Sequence, residues 1–186
     1  MLLWTVASSI WFFLPAMLPN TAAAILGGGV PIDFGRKMGE QRVLGDGKTW
    51  RGLLSGVLSG IFLGYLEALI AYSFIPELRN VYHLSPVSLL PLIALSAGSM
   101  SGDICGAFVK RRFGLERGAP VPILDQYDFA AGAMLFAYLI SPAYALKFLF
   151  MGNAIIGLVI VLVIIYPLHR LVNYIGYRRG LKNVPW

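Results

Sequence analysis

Five long apolar runs, separated by short stretches that hold nearly all of the charge, set the pattern of this chain. Leu2 to Gly29 carries no charged residue. Since about 20 apolar residues cross a bilayer core as a helix, this run is ample for a span. Pro15, Pro19 and Asn20 are expected to break or kink it near its middle. The run is too long for a secretory signal and lacks a basic leader. The same pattern predicts a second span at Gly52–Phe74, a third at Val87–Val109, a fourth at Phe129–Leu146 and a fifth at Phe148–Pro167. Pro142 marks an alternative, slightly earlier turn between the last two. No repeat or low-complexity segment interrupts this order. The expectation is an all-α, polytopic integral membrane protein with about five transmembrane helices.

Composition sharpens that picture. Hydrophobic residues make up 58% of the chain and charged residues 13%, against about 25% charged in a soluble domain. In 186 residues there is room for the spans and their loops but not for a separate soluble domain, so residues 1–186 are expected to form one membrane-embedded domain. Its main polar loops fall at about 31–51 and 110–128. Five basic residues lie in the first of these, four in the second (Lys110, Arg111, Arg112, Arg117) and four in the tail (Arg170, Arg178, Arg179, Lys182), against one in each remaining connection. By the positive-inside rule these basic segments are cytoplasmic, with the N-terminus outside and the C-terminus inside. The net charge of +6 is therefore read as membrane orientation, not as nucleic-acid binding. A single cysteine, Cys105, excludes an internal disulfide and a thiolate cluster, and His83 and His169 fit no metal or triad spacing.

Candidate chemistry concentrates between Ser101 and Phe129, where three aspartates and four basic residues stand between two apolar runs. Asp103 lies seven positions before Lys110 on one expected helix, two turns deeper on the same face. A carboxylate at that depth needs a partner or a wet cavity, so an interhelical salt bridge competes with a functional role. Asp125 and Asp128 stand at i and i+3, so that both would project from one face of the fourth span's first turn if the helix begins there. Helix capping explains one of them better than both, because the like charges repel unless a cation lies between. With oxygen ligands alone, that cation is expected to be Mg2+. Lys110, Arg111 and Arg112 suit phosphate, and equally suit the orienting of a span. Aspartates alternating with such cations in one short loop are the mixture that metal-assisted phosphoryl or nucleotidyl transfer requires.

Upstream, Gly45, Gly47, Lys48 and Thr49 imitate the end of a P-loop. The imitation fails, because Arg42 stands where the first glycine is needed and no strand leads in. A glycine turn can still bring backbone amides and Lys48 to an anion. A flexible linker carrying orienting charges is the competing reading. Glu67 is placed about 22 Å along the second span, too far out to share this chemistry, and is expected in a buried pair or a snorkelling contact.

These residues together resemble a known family. Gly102-Asp103, then Lys110-Arg111, then a glycine- and proline-bearing loop and Asp125-x-x-Asp128 resemble the signature of the CTP-dependent phosphatidate cytidylyltransferases. PIDFG, GDGKTWRG, KRRFGLERG and PILDQYDF resemble most closely the archaeal branch, the CDP-archaeol synthases, across nearly the whole chain. Bacterial members carry a His-Gly-Gly element where this chain has Pro120, Val121 and Pro122. The resemblance implies transfer of the cytidylyl group of CTP to an unsaturated ether lipid phosphate, digeranylgeranylglyceryl phosphate, with release of pyrophosphate. It implies Mg2+ on Asp103, Asp125 and Asp128, and phosphate contacts for Lys110 and Arg111. Arg112, Lys48, Thr49, Gly45 and Gly47 would meet nucleotide. Its partners would be CTP, the polyprenyl lipid phosphate and the bilayer, at the cytoplasmic face of the cell membrane.

Two other classes remain open at this level. CDP-alcohol phosphotransferases also gather aspartates at that face, but their pattern begins Asp-Gly and ends in aspartates spaced by three residues. A small transporter would place its polar residues near the midplane, commonly in repeated halves.

Overall fold

The computed structural model of the chain describes residues 2–82, 89–116 and 119–180. His83, Val87, Arg117 and Lys182 lie outside these residues. The described chain contains α1 (Leu2–Phe13), α2 (Pro19–Leu26), α3 (Trp50–Phe74), α4 (Leu89–Arg112), α5 (Pro122–Ile140), α6 (Pro142–Ala145) and α7 (Ala154–Arg178). Five segments are long and apolar enough to cross a membrane, namely α1 with α2, then α3, α4, α5 and α7. The protein is an all-α, multi-pass membrane protein. Its two short strands, β1 (Lys37–Met38) and β2 (Gln41–Arg42), pair antiparallel within the first loop.

The first span breaks where its prolines stand. A 3-10 turn at Leu14–Ala16 follows α1, and Pro19 opens α2. Proline has no N–H to continue a helix but fits the first helical turn. The fourth span starts at Pro122, seven residues before the expected Phe129, so Asp125 and Asp128 lie inside a helix instead of ahead of one. Apolarity alone put the boundary at the first run without aspartate. Pro122 at the first helical position sets it earlier, and Asp125 supports it by accepting the Val121 amide at 2.9 Å. The span ends at Ile140 with Pro142 just beyond, at the earlier of the two expected turns. The fifth span correspondingly runs from Ala154 to Arg178 instead of Phe148–Pro167, with Pro167 inside it. Intramembrane helices tolerate such a proline where neighbours satisfy the freed carbonyl.

Glycine stripes set how closely the spans approach. Gly52, Gly56, Gly60 and Gly64 are buried at every fourth position of α3. A Cβ on Gly60 would overlap Ser96 of α4 and meet the Pro15 carbonyl, and one on Gly56 would meet the Pro19 carbonyl at 3.0 Å. On α4, Gly98, Gly102 and Gly106 face α5, where a Cβ at Gly102 would strike the Asp128 carbonyl and one at Gly106 the Asp128 side chain. Lipid tails are as apolar as leucine, so helix association here rests on this backbone-to-backbone fit.

The end of the bundle away from the charged loops is closed by aromatic packing. Phe12 stacks with Tyr82 and Phe148 at centroid distances of 5.7 and 5.4 Å, and the Tyr82 hydroxyl donates to the Phe12 carbonyl at 2.5 Å. Glu67 is 3% exposed in α3, and neither of its carboxyl oxygens has a hydrogen-bond partner among the described residues. The expected pair or snorkelling contact is therefore absent from those residues.

Gly102→Ala is expected to cost about 1–3 kcal/mol through overpacking against Asp128. Cys105→Ala, at an exposed position of the same helix, is expected to shift stability by less than about 0.5 kcal/mol. Thermal unfolding of both variants in detergent checks the difference.

Candidate active site

The first loop is ordered around one carboxylate. Asp33, 7% exposed, accepts hydrogen bonds from Arg42 Nη2 at 2.7 Å and Nε at 3.2 Å, and from the amides of Gly35, Leu44 and Gly45 at 3.1, 3.0 and 3.0 Å. The Arg42 guanidinium holds the Asp33 carboxyl below the usual carboxylate range, and the backbone amides add to this against the opposing effect of burial. Gly28, Gly29, Gly35, Gly39 and Gly45 all adopt positive φ in this region, as its tight turns require. These bonds give the loop a defined conformation, in contrast to an unstructured linker. Sequence reasoning counted Asp33 only as one charge among eight, because nothing local marks a side chain that gathers five donors from both ends of a turn.

Arg112, at the end of α4, fastens the hairpin to the bundle. Its guanidinium donates to the carbonyls of Met38 and Arg42, both at 2.9 Å, and lies over the Phe108 ring at 5.2 Å. At the other end of the loop Thr49 caps α3, its hydroxyl accepting the Gly52 amide at 3.1 Å.

Between this loop and the helices lies a cavity of about 540 Å3. Gly45, Gly47, Lys48 and Thr49 line it from the loop, Asp103, Lys110 and Arg111 from α4, and Asp125 and Asp128 from α5. Nine of the ten sequence-predicted site residues thus share one space, and Arg112 is the one that is not part of its lining. Lys48 Nζ meets Asp103 Oδ2 at 2.5 Å, and Lys110 Nζ meets Asp125 Oδ1 at 2.6 Å, all four side chains being partly buried. Asp103 and Lys110 therefore each pair across elements, not with one another along α4. Arg111 is buried and donates to the Leu115 carbonyl. Asp128 Oδ1 accepts the Phe129 amide at 2.6 Å. The Gly45 amide is given to Asp33, so the turn's contribution to an anion rests on Lys48 and Gly47.

Three lining carboxylates (Asp103, Asp125, Asp128) stand against three permanent cations (Lys48, Lys110, Arg111), the fourth, Asp46, being paired with Arg42 at 2.8 Å. A strongly anionic phosphate in a site so balanced is favoured by added positive charge. Among the described residues no three His, Cys, Asp or Glu side chains converge into a ready metal cage. The donors are nonetheless the hard oxygens that Mg2+ prefers, and Mg2+ is commonly held by one or two carboxylates together with substrate phosphates. The residues fit a cation that arrives with a phosphate ligand. The cavity also takes Asn20 from α2 and His169 and Asn173 from α7 into its wall. The sequence reading dismissed His169 for lack of a metal spacing, and only the fold brings α7 to the site.

A cavity of paired acids and bases at one end of a bundle of membrane-spanning helices has the make-up of a membrane enzyme that handles phosphates. A family model described as CarS-like, CDP-archaeol synthase, matches residues 2–186, and the chain belongs to this family. A CDP-archaeol synthase of Methanosphaerula palustris is 44% identical over 93% of this chain and 99% of its own length. That of Methanopyrus kandleri is 43% identical over 95% and 91%. A solved structure of an intramembrane enzyme for archaeal membrane lipids biosynthesis is 34% identical, with a TM-score of 0.62, over 86% of this chain and 93% of that one. These relatives favour neither the phosphotransferase nor the transporter reading.

Because the Asp33 pKa is lowered in the folded loop, its contribution is present above the unfolded carboxylate range of about 4 and fades only as pH falls well below it. The loop is thus expected to resist trypsin at exposed Arg36 and Lys37 at neutral and mildly acidic pH after equilibration. Asp33→Asn is expected to be cut about tenfold faster or more at neutral pH, the factor given by losing one charge-assisted hydrogen bond of about 1.5–3 kcal/mol. Limited proteolysis followed by mass spectrometry reads both.

Proposed function

We propose that this protein transfers the cytidylyl group of CTP to an unsaturated archaeal ether lipid phosphate, digeranylgeranylglyceryl phosphate, forming CDP-archaeol and pyrophosphate. The observation that carries the proposal is the cavity in which Lys48, Lys110 and Arg111 alternate with Asp103, Asp125 and Asp128, in a chain matched end to end by CDP-archaeol synthases. A lipid phosphate oxygen bonds to the α-phosphorus of CTP, and the bond from that phosphorus to the β-phosphate oxygen breaks. Pyrophosphate leaves with the electron pair. No covalent enzyme intermediate is needed, so the protein's work is to align two anions and offset their charge.

In the structure the two lysines are neutralised by Asp103 and Asp125. Entry of the triphosphate lets Lys48 and Lys110 turn from carboxylate to phosphate, with Arg111 behind them. The turn at Gly45–Thr49, held by Asp33, keeps Lys48 within reach. Asp103, Asp125 and Asp128 would then hold Mg2+, which when bound supplies positive charge to the phosphates. Arg112 serves the nucleotide indirectly, through the hairpin it fastens. The excess of basic residues beside the loops supports a cytoplasmic active site in the cell membrane, with the N-terminus outside and the C-terminus inside. All of residues 1–186 act as one catalytic domain in this reading.

Purified protein given labelled CTP, Mg2+ and digeranylgeranylglyceryl phosphate is expected to yield labelled CDP-lipid and one pyrophosphate per product. Chelation with EDTA is expected to stop turnover and added Mg2+ to restore it. Lys48→Ala and Asp128→Asn are each expected to lower kcat/KM by about 10²–10³-fold, as loss of an electrostatic stabiliser does. Full activity in Asp125→Asn would sink the metal assignment.

A further inference from the structure

The cavity has a second, less charged wall that the nucleotide chemistry does not use. His169 and Asn173 stand at i and i+4 on α7 and share one face of that helix, and both line the cavity. Asn20 lines it from α2, together with the small side chains of Ala23 and Ala24. Asn173 is 5% exposed. The His169 ring packs on Phe129 at a centroid distance of 5.8 Å, one residue after Asp128. The Tyr127 hydroxyl donates to the Leu162 carbonyl at 3.1 Å, tying α7 to the same turn of α5. The two walls therefore meet at Asp125–Asp128.

The helices that form this wall are packed on different neighbours. α2 lies against α3 and α4, whereas α7 lies against α1 and α5, and α2 and α7 make at most marginal contact with each other. A dialkyl glycerol phosphate has no hydroxyl group left, so its ether and phosphate oxygens only accept hydrogen bonds from the protein. The amides of Asn20 and Asn173 and the N–H of His169 are donors, and Ala23 and Ala24 leave room for a chain to pass.

We propose that Asn20, His169 and Asn173 form the acceptor subsite, which takes the phosphate and ether oxygens of the lipid as it enters sideways between α2 and α7. This rests on the proposed cytidylyl transfer. Lys48, Lys110 and Arg111 then serve CTP on the opposite wall, and the attacking oxygen reaches the α-phosphorus where the walls meet.

Steady-state kinetics with each substrate varied, alongside direct CTP binding without lipid, tests the assignment in His169→Ala, Asn173→Ala and the conservative His169→Gln. The expected result is a rise of about tenfold in KM for digeranylgeranylglyceryl phosphate, the loss of one or two hydrogen bonds, while the CTP dissociation constant stays within about twofold of wild type. Retained CTP binding shows that the variants are folded. His169→Gln, which keeps an N–H donor, is expected to recover part of the loss. In the wild type, the lipid phosphate in mixed micelles is expected to bind without CTP, and free glycerol phosphate is expected not to displace it. Displacement by glycerol phosphate would overturn lateral lipid capture. Unchanged lipid KM in the variants, or weakened CTP binding with lipid KM unchanged, would overturn the subsite. A wild type that binds CTP but labels no lipid would instead overturn the proposed reaction.

Discussion

The close approach of α4 to α5 is the constraint on which the active site depends. Gly98, Gly102 and Gly106 of α4 and Gly132 of α5 carry no Cβ where the two helices come nearest, so backbone lies on backbone there. In a bilayer no hydrophobic penalty forces helices together, and packing of this kind is what remains. The same glycines give Asp128 its place, since its carboxylate occupies the space that a side chain at Gly106 would fill. A chemical feature, the aspartate pair, and a mechanical one, the glycine stripe, are therefore two sides of one helix contact.

Around that contact the loops supply cations already held in place. Asp33 gathers the first loop, Thr49 caps the helix that follows it, and Arg112 anchors the hairpin to α4. Each interaction is modest by itself. Jointly they hold Lys48 at Asp103, more than fifty residues away in sequence. Partly buried ion pairs of this type add little net stability, since desolvation offsets their attraction. Here they hold both lysines inside the cavity with their charge offset.

Much of this was legible in the sequence, for identifiable reasons. Span number follows from apolarity, and the residues that line the cavity stood out because charge is costly between apolar runs. The break in the first span followed from Pro15 and Pro19. Boundaries were harder, because hydropathy treats Asp125 and Asp128 as loop, whereas proline capping and the Lys110 pair admit them to α5. Asp33 and Asn173 were invisible for a different reason. Their importance lies in what they meet across the fold, and neither belongs to a local spacing. Arg112 looked like its neighbours Lys110 and Arg111, and only the helical rotation that turns it toward Met38 and Arg42 separates its role from theirs.

The broken first span has a mechanical consequence. Its turn presents the carbonyls of Pro15 and Pro19 to Gly60 and Gly56 of α3, and a slide of either helix would drive a Cβ-bearing neighbour onto a carbonyl oxygen. α2, α3, α4 and α5 are thus keyed together like the fixed part of a clamp. α7 is held differently, with 17% of its apolar window buried against 56% for α4, so little contact has to be surrendered for it to tilt. The last span is therefore the one least covered by protein, set against a frame that glycines and proline carbonyls keep in register.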